Sequence, residues 1–173
     1  MRWSVEKIGR SWVLRHAVTK TTRGRFKTRE LAEIAAKERN DCLADGVMVK
    51  EFEVAPMVMS PKDALPIFED MFDGFDREAM VVLSLASSGQ AIALDTVHVG
   101  GVNACMAEPH TIFRTALLRN AASIILAHNH PSGHPIPSKE DILVTKRLMK
   151  AAKLLDLPLH AHYVWTPGRL EAC

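Results

Sequence analysis

The stretch from His128 to Asp141, HNHPSGHPIPSKED, holds the residue types in this 173-residue chain best suited to chemistry. His128 and His130 stand two apart after an apolar, β-like run, Ile124-Ile125-Leu126-Ala127. On an extended strand residues i and i+2 point the same way, so both imidazoles can address one point. Pro131, Gly133, Pro135 and Pro137 then prevent further strand or helix until the last proline is passed. A helix is expected from Ser138, an N-cap residue type, with Asp141 in its first turn, where the helix dipole favours a carboxylate. Two neutral imidazole nitrogens and one carboxylate, His128, His130 and Asp141, form a ligand set suited to Zn²⁺ that leaves a fourth position for water. Ser-x-x-Asp ahead of an apolar helix also reads as an ordinary capping box, and His-x-His alone is a weak signal. The conjunction of strand, compact turn, capped helix and first-turn acid is what points to a metal.

The elements that must position these side chains follow from periodicity. Ser60-Pro61-Lys62-Asp63 opens a helix with proline at its first position, and Ala64, Ile67, Phe68 and Met71 give it an apolar face. Met80 to Leu85 and Ala91 to Val99 read as strands joined through Ser87-Ser88-Gly89-Gln90, with Gly100-Gly101 ending the second. After Pro109, Ile112, Phe113, Ala116 and Leu117 trace one face of a helix, and Ala121 to Ala127 is the strand that delivers the histidines. The helix from Ser138 offers Ile142, Leu143, Leu148 and Leu155 to the core. Pro158 ends it, and Leu159 to Trp165 forms a last strand. The order β-β-α-β-α-β predicts an α/β fold, a mixed sheet flanked by helices, over residues 56–173.

Residues 1–55 read as a separate small unit, a β-hairpin plus helix. Trp3 to Ile8 and Ser11 to His16 flank a turn at Gly9-Arg10, Gly24 marks a second break, and Thr28 offers an N-cap to a helix with Leu31, Ile34 and Ala35 on its apolar side. Val47 to Val54 alternates as a strand that would close this unit. The unit is basic: residues 1–50 carry 12 Lys and Arg against 6 Asp and Glu, while residues 51–173 carry 10 against 14. Arg10, Arg15, Lys20, Arg23, Arg25, Lys27 and Arg29 lie near Trp3, Trp12 and Phe26, a pattern that can grip a nucleic-acid backbone and stack bases. The same aromatic residues can equally be the unit's core beneath a solvated charged face.

A 47% hydrophobic and 24% charged composition describes a folded, globular chain. No apolar run approaches a membrane span, and the N-terminus lacks a signal-peptide core, so a cytoplasmic location without membrane contact is expected. Cys42, Cys105 and Cys173 are odd in number and far apart, which argues against a disulfide framework or a Cys-x-x-Cys metal site.

His128-x-His130-Pro131 followed by Ser138-x-x-Asp141 resembles the metal motif of the JAMM (MPN+) metallohydrolases, and the fuller HNHPSG string resembles their RadC branch. The resemblance runs from about Ser60 to Thr166. It includes Ser60-Pro61-x-Asp63-Ala64, Asp76-Arg77-Glu78, Val99-Gly-Gly-Val-Asn103 and Arg119-Asn120-Ala121-Ala122. It implies a JAMM/MPN-like sheet, layered as in cytidine deaminases, a zinc cofactor on His128, His130 and Asp141, and hydrolysis of a peptide or isopeptide bond. In that family a glutamate from the start of the sheet is the general base and the motif serine steadies the developing oxyanion. The matching positions are Glu78 and Ser138, with Glu108 as the other candidate base. Asn129 or backbone groups are expected to hold the ligands, and His162 stands where relatives carry an Asp-His pair, with Ala161 in place of the aspartate. His110-Thr111 after Pro109, and Pro167-Gly-Arg-Leu at the end, also depart from the family's pattern. His134 is expected to be solvent-exposed. Two other readings stand beside hydrolysis: a DNA-associated repair factor or metal-dependent nuclease, suggested by the basic front unit, and a metal-free scaffold, against which all three ligands argue. A zinc deaminase is disfavoured because neither His-x-Glu nor Pro-Cys-x-x-Cys occurs.

Overall fold

The computed structural model describes residues 3–16, 22–34, 49–52, 55–100 and 108–173, which belong to two compact units, Met1–Gly46 and Val47–Cys173. In the first, β1 (Trp3–Ile8), β2 (Ser11–His16) and β3 (Thr22–Phe26) form an antiparallel sheet in that order, and residues 29–34 are helical. The turn after Ile8 uses Gly9 at φ +60°, the left-handed region that glycine enters without strain. Gly24, expected to break the chain, instead lies inside β3, which pairs with β2 across a register shift between Trp12 and Leu14. A third strand thus replaces the expected two-stranded hairpin. Thr28 caps the helical stretch as expected, its Oγ1 accepting from the Leu31 N–H at 3.3 Å. Its buried residue is Ala32, however, while Leu31 and Ile34 are exposed. Ala35, Cys42 and Cys105 lie outside the described residues.

The second unit holds β4 (Val49–Glu51), α1 (Pro61–Phe72), β5 (Ala79–Leu85), β6 (Ala91–Val99), α2 (Pro109–Leu118), β7 (Ser123–Asn129), α3 (Lys139–Leu155), β8 (Leu159–Thr166) and β9 (Arg169–Ala172). One mixed sheet runs β4-β6-β5-β7-β8-β9, with β7 and β8 parallel and every other pair antiparallel. The strand expected to close the front unit is β4, and it pairs with Ala93–Asp95 of β6 instead. The nine-residue β6 would otherwise present an open edge of backbone donors and acceptors, which β4 satisfies. β9 was not foreseen: a turn at Pro167-Gly168, with Gly168 at φ +77°, folds Arg169–Ala172 back onto β8.

β5 and β7 are buried along their whole length, which is why both read as unbroken apolar runs rather than alternating ones. Alternation decides which layer each residue meets. Val81, Leu83, Leu85, Ile125 and Ala127 pack under α1 with Phe68, Met71 and Phe72, and the Phe72 ring lies 5.3 Å from that of Trp165. Met80, Val82, Ile124 and Leu126 face the other way and pack with Ile112, Phe113, Ala116, Val144 and Leu148 of α2 and α3. Each large side chain buried this way contributes about 1.5–3 kcal/mol. The α3 face differs from expectation. Ile142, Leu143 and Leu155 are exposed, and the inner row is Asp141, Val144, Thr145, Leu148 and Ala152. Two polar residues on the inner face hid its period, and Leu117 of α2 is likewise exposed.

Candidate metal centre

Register brings the site together. Met80 pairs with His128 across the antiparallel β5–β7 ladder, so two residues further along Glu78 comes opposite His130. On the other side Leu126 pairs with His162 and His128 with Val164 in the parallel β7–β8 ladder. Met80, His128 and His162 therefore look toward α3. There Asp141 and Thr145, one helical turn apart, meet them. The site occupies the carboxyl end of β7, where open α/β sheets commonly place their ligands.

His128 is 1% exposed and Asp141 7% exposed, so neither group is solvated freely. His128 Nε2 lies 3.1 Å from His130 Nε2 and 3.3 Å from Asp141 Oδ1, and His130 Nε2 lies 3.7 Å from Asp141 Oδ2. A four-coordinate ion with ligand bonds of about 2.0 Å needs donor atoms about 3.3 Å apart. The spacing of these three groups fits that requirement. Their other polar atoms are committed so as to aim them. His130 Nδ1 donates to the His134 carbonyl at 2.7 Å, which leaves its Nε2 lone pair toward the cluster. The α3 capping box supplies Asp141 Oδ2 with two donors, the Ser138 N–H at 2.7 Å and the Ser138 hydroxyl at 2.6 Å, and so turns Oδ1 toward His128. Ser138 Oγ in return accepts the Asp141 N–H at 3.1 Å. Ser-x-x-Asp is thus the expected capping box, and the same bonds fix the orientation of the Asp141 carboxylate. Burial works to raise the Asp141 pKa, but hydrogen bonds from His128 and Ser138 and the His128 charge outweigh it and hold the carboxyl well below its usual range.

The three groups open into a 290 Å³ cavity that Glu78, Ser138, His134 and Ile136 also line. Glu108 is elsewhere: it precedes α2 and pairs with Arg147 at 2.6 Å. His134 is exposed, as expected, yet its carbonyl is what orients His130. Asn129, expected to hold ligands, does something else. It faces α1, where its Oδ1 accepts the Ala79 N–H at 2.7 Å and its Nδ2 donates to the Arg77 carbonyl at 3.1 Å, clamping the backbone on either side of Glu78. His162, 2% exposed, meets His128 Nδ1 through Nε2 at 2.9 Å and Thr145 Oγ1 through Nδ1 at 2.6 Å. Burial first, and the neighbouring His128, hold its pKa down at about 3. Ala161 packs on the α1 side, so the departure at that position does not touch this cluster. His110 Nε2 lies within hydrogen-bond distance of its neighbour Thr111 Oγ1, at 3.2 Å. Thr145 was not singled out in the sequence; the signal was its place four residues after Asp141.

Cys173 places its thiol within 4.8 Å of ligand nitrogens of His128 and His162, forming a second group of metal-binding type among the described residues. Burial, then the negative Asp141, push that thiol up to about 12, and a protonated thiol is a poor metal ligand. A larger cavity of 560 Å³, at the far ends of β5 and β7, offers one imidazole, His160, and no carboxylate. In the front unit Arg10, Lys27 and Arg29 are exposed, and Arg29 pairs with Glu33 at 2.6 Å. The side chains of Trp3, Trp12 and Phe26 lie outside the described set. No helix among the described residues is long and apolar enough to cross a membrane.

Residues 58–171 match the model of the RadC-like JAB domain. Among curated proteins the chain is similar to a UPF0758 protein of Moorella thermoacetica, 40% identical over 116 residues that cover 67% of this chain and 51% of that protein. A UPF0758 protein of Roseiflexus castenholzii is 36% identical over 146 residues, 84% of this chain and 60% of that protein. A third, from Shouchella clausii, is 40% identical over 115 residues. The chain thus spans about half to three fifths of the length of these relatives.

Proposed function

The chain belongs to the RadC-like JAB domain family, and from that premise we propose that it is a zinc-dependent hydrolase that cleaves an amide bond in a peptide or isopeptide. The observation that carries this reading is the spacing of His128 Nε2, His130 Nε2 and Asp141 Oδ1. A zinc ion held there would act as a Lewis acid and lower the pKa of water toward about 7.

The remaining work falls to the chain. Glu78, half-buried at the start of β5 and lining the same cavity, is placed to take a proton from the attacking water and return it to the leaving amine. Ser138 has one hydroxyl proton, donated here to Asp141 Oδ2. Turning it into the cavity would let it donate to the oxygen that gains charge as the carbonyl is attacked. Phosphodiester cleavage is less well served. Phosphoryl chemistry relies on cationic side chains around the reacting oxygens, and no Lys or Arg lines the cavity among the described residues. Ile136, 65% exposed at the rim, offers instead an apolar contact suited to a peptide side chain.

The test is metal content by inductively coupled plasma mass spectrometry on wild type and on His128→Ala and Asp141→Ala, each checked for folding by circular dichroism. About one zinc per chain, lost in both variants, is the expected result, followed by turnover on a panel of peptide, isopeptide and DNA substrates. A folded wild type that takes up no zinc when it is supplied would overturn the reading, and cleavage of DNA alone would replace amide hydrolysis by nuclease activity.

A further inference from the structure

A ligand imidazole is useful only if the nitrogen facing the metal carries a lone pair. In neutral histidine that depends on where the single ring proton sits. His130 is settled locally by the His134 carbonyl, which only accepts. The partner of His128 Nδ1 among the described residues is another imidazole, His162, which can in principle donate or accept. The direction of that bond is therefore decided further out.

The chain of bonds leaves one solution. Thr145 Oγ1 lies 2.7 Å from the Asp141 carbonyl, which can only accept, so the one hydroxyl proton goes there. The hydroxyl must then accept at its other contacts, the Cys173 thiol and His162 Nδ1, and the latter, 2.6 Å away, carries the proton. A second proton on His162 would place a cationic ring at 2% exposure, a costly arrangement. The ring is neutral, its Nε2 is bare, and it accepts from His128 Nδ1 at 2.9 Å. In the neutral ring the lone pair is then on His128 Nε2, toward Asp141 Oδ1 and His130 Nε2, and the hydrogen bond that a charged His128 gives Asp141 is the one an ion would replace.

We propose that Thr145 and His162 are positioning residues that lock His128 in the Nδ1–H tautomer, and that this lock, not contact with the ion, is their contribution to metal binding. The circuit closes on itself. It starts at the backbone of Asp141, passes through α3, β8 and β7, and ends at the lone pair facing the Asp141 carboxylate. A hydroxyl bonded to backbone does the orienting that a carboxylate often does for ligand histidines, without adding negative charge beside Asp141. The inference rests on the metal reading for its purpose, but the tautomer is a property of the protein without metal.

Thr145→Val keeps the shape of the side chain and removes the hydroxyl; Thr145→Ser keeps the hydroxyl. Long-range ¹H–¹⁵N NMR on the metal-free full chain reads the His128 tautomer, and competition with a chromophoric chelator reads zinc affinity. Expected are the Nδ1–H form in wild type and Thr145→Ser, a mixed or Nε2–H form in Thr145→Val, and zinc affinity lower by about 10–100-fold in Thr145→Val alone. An Nε2–H His128 in wild type overturns the proposal, and so does a Thr145→Val protein with wild-type tautomer and affinity. If Thr145→Val does not fold, the wild-type spectrum still decides. A wild type with the Nδ1–H form that binds no zinc refutes the metal reading while leaving the lock in place.

Discussion

Removing the Asn129 side chain should separate the two halves of the site. Asn129 is 2% exposed, and its amide bridges the Ala79 N–H and the Arg77 carbonyl, on either side of Glu78. Asn129→Ala strands the Ala79 N–H, which belongs to a residue with no exposed surface. A buried donor without a partner costs about 1–3 kcal/mol, whereas the exposed Arg77 stretch can be served by water. Taking about 2 kcal/mol with a urea slope of about 2 kcal/mol per molar, the midpoint should fall by about 1 M. A domain of ordinary stability survives that loss. Zinc affinity should stay near wild type, because His128 and His130 take their orientation from His162 and His134. Turnover should fall by about 100-fold, the usual effect of displacing a catalytic group by about 1 Å, with KM little changed. Urea unfolding followed by circular dichroism, zinc competition and steady-state kinetics on one preparation read all three. An unchanged midpoint would refute the clamp. A zinc loss as large as that of His128→Ala would show that Asn129 serves the ligands instead.

The other predictions concern the base, the helix and acid. Glu78→Gln should lower kcat by about 10²–10⁴-fold while the zinc content holds, and Glu108→Gln, which only breaks the exposed pair with Arg147, should leave kcat near wild type; the reverse pattern would make Glu108 the base. Leu148→Ala, in the same inner row of α3 as Asp141 and Thr145, should cost about 2–5 kcal/mol in chemical unfolding and weaken zinc binding as the helix loosens, so a stability loss under 1 kcal/mol would contradict the packing. The folded Asp141 carboxyl titrates below its ordinary value of 3.8, so the stability it adds is present above that value and drains away as pH falls through the lower, folded one. Urea midpoints of chelator-treated wild type and Asp141→Asn should accordingly differ most at about pH 7, and the gap should narrow as pH falls below 3.8 without closing by about pH 3; a gap that stays constant down to about pH 2 would refute the assignment.

What the sequence revealed divides by distance along the chain. His128, His130, Ser138 and Asp141 lie within one short stretch, and strand alternation, proline punctuation and capping chemistry are all local rules, so the cluster was legible. The Asn129 and His162 contacts span 50 and 34 residues, and they depend on which strands pair and in what register, information that no local period carries. β4 was assigned to the wrong neighbour for the same reason: Val49–Glu51 is strand-like wherever it pairs. The α3 face failed differently. Its inner row carries Asp141 and Thr145, and a rule that seeks an unbroken apolar stripe passes over the helix face that holds the site.

That failure is informative, because the polar interruptions are what β7 requires of its neighbours. Ile124 and Leu126, with no exposed surface, face α2 and α3 four and two residues before His128, and Ile125 and Ala127 face α1 before Asn129. The burial that fixes the register of β7 thereby fixes which way the imidazoles and the amide point. A slip of one residue would send both histidines toward α1 and Asn129 toward Asp141. Such a slip would also exchange the two apolar rows, against packing on both faces at once. The two imidazoles thus stand at the end of a strand held by the core, and Thr145, His162 and Ser138, which orient them and Asp141, come from the elements that β7 packs or pairs against. Geometry of this kind exists before any ion arrives, so His130→Ala, which leaves both rows intact, should lose zinc while keeping its unfolding midpoint in the metal-free state.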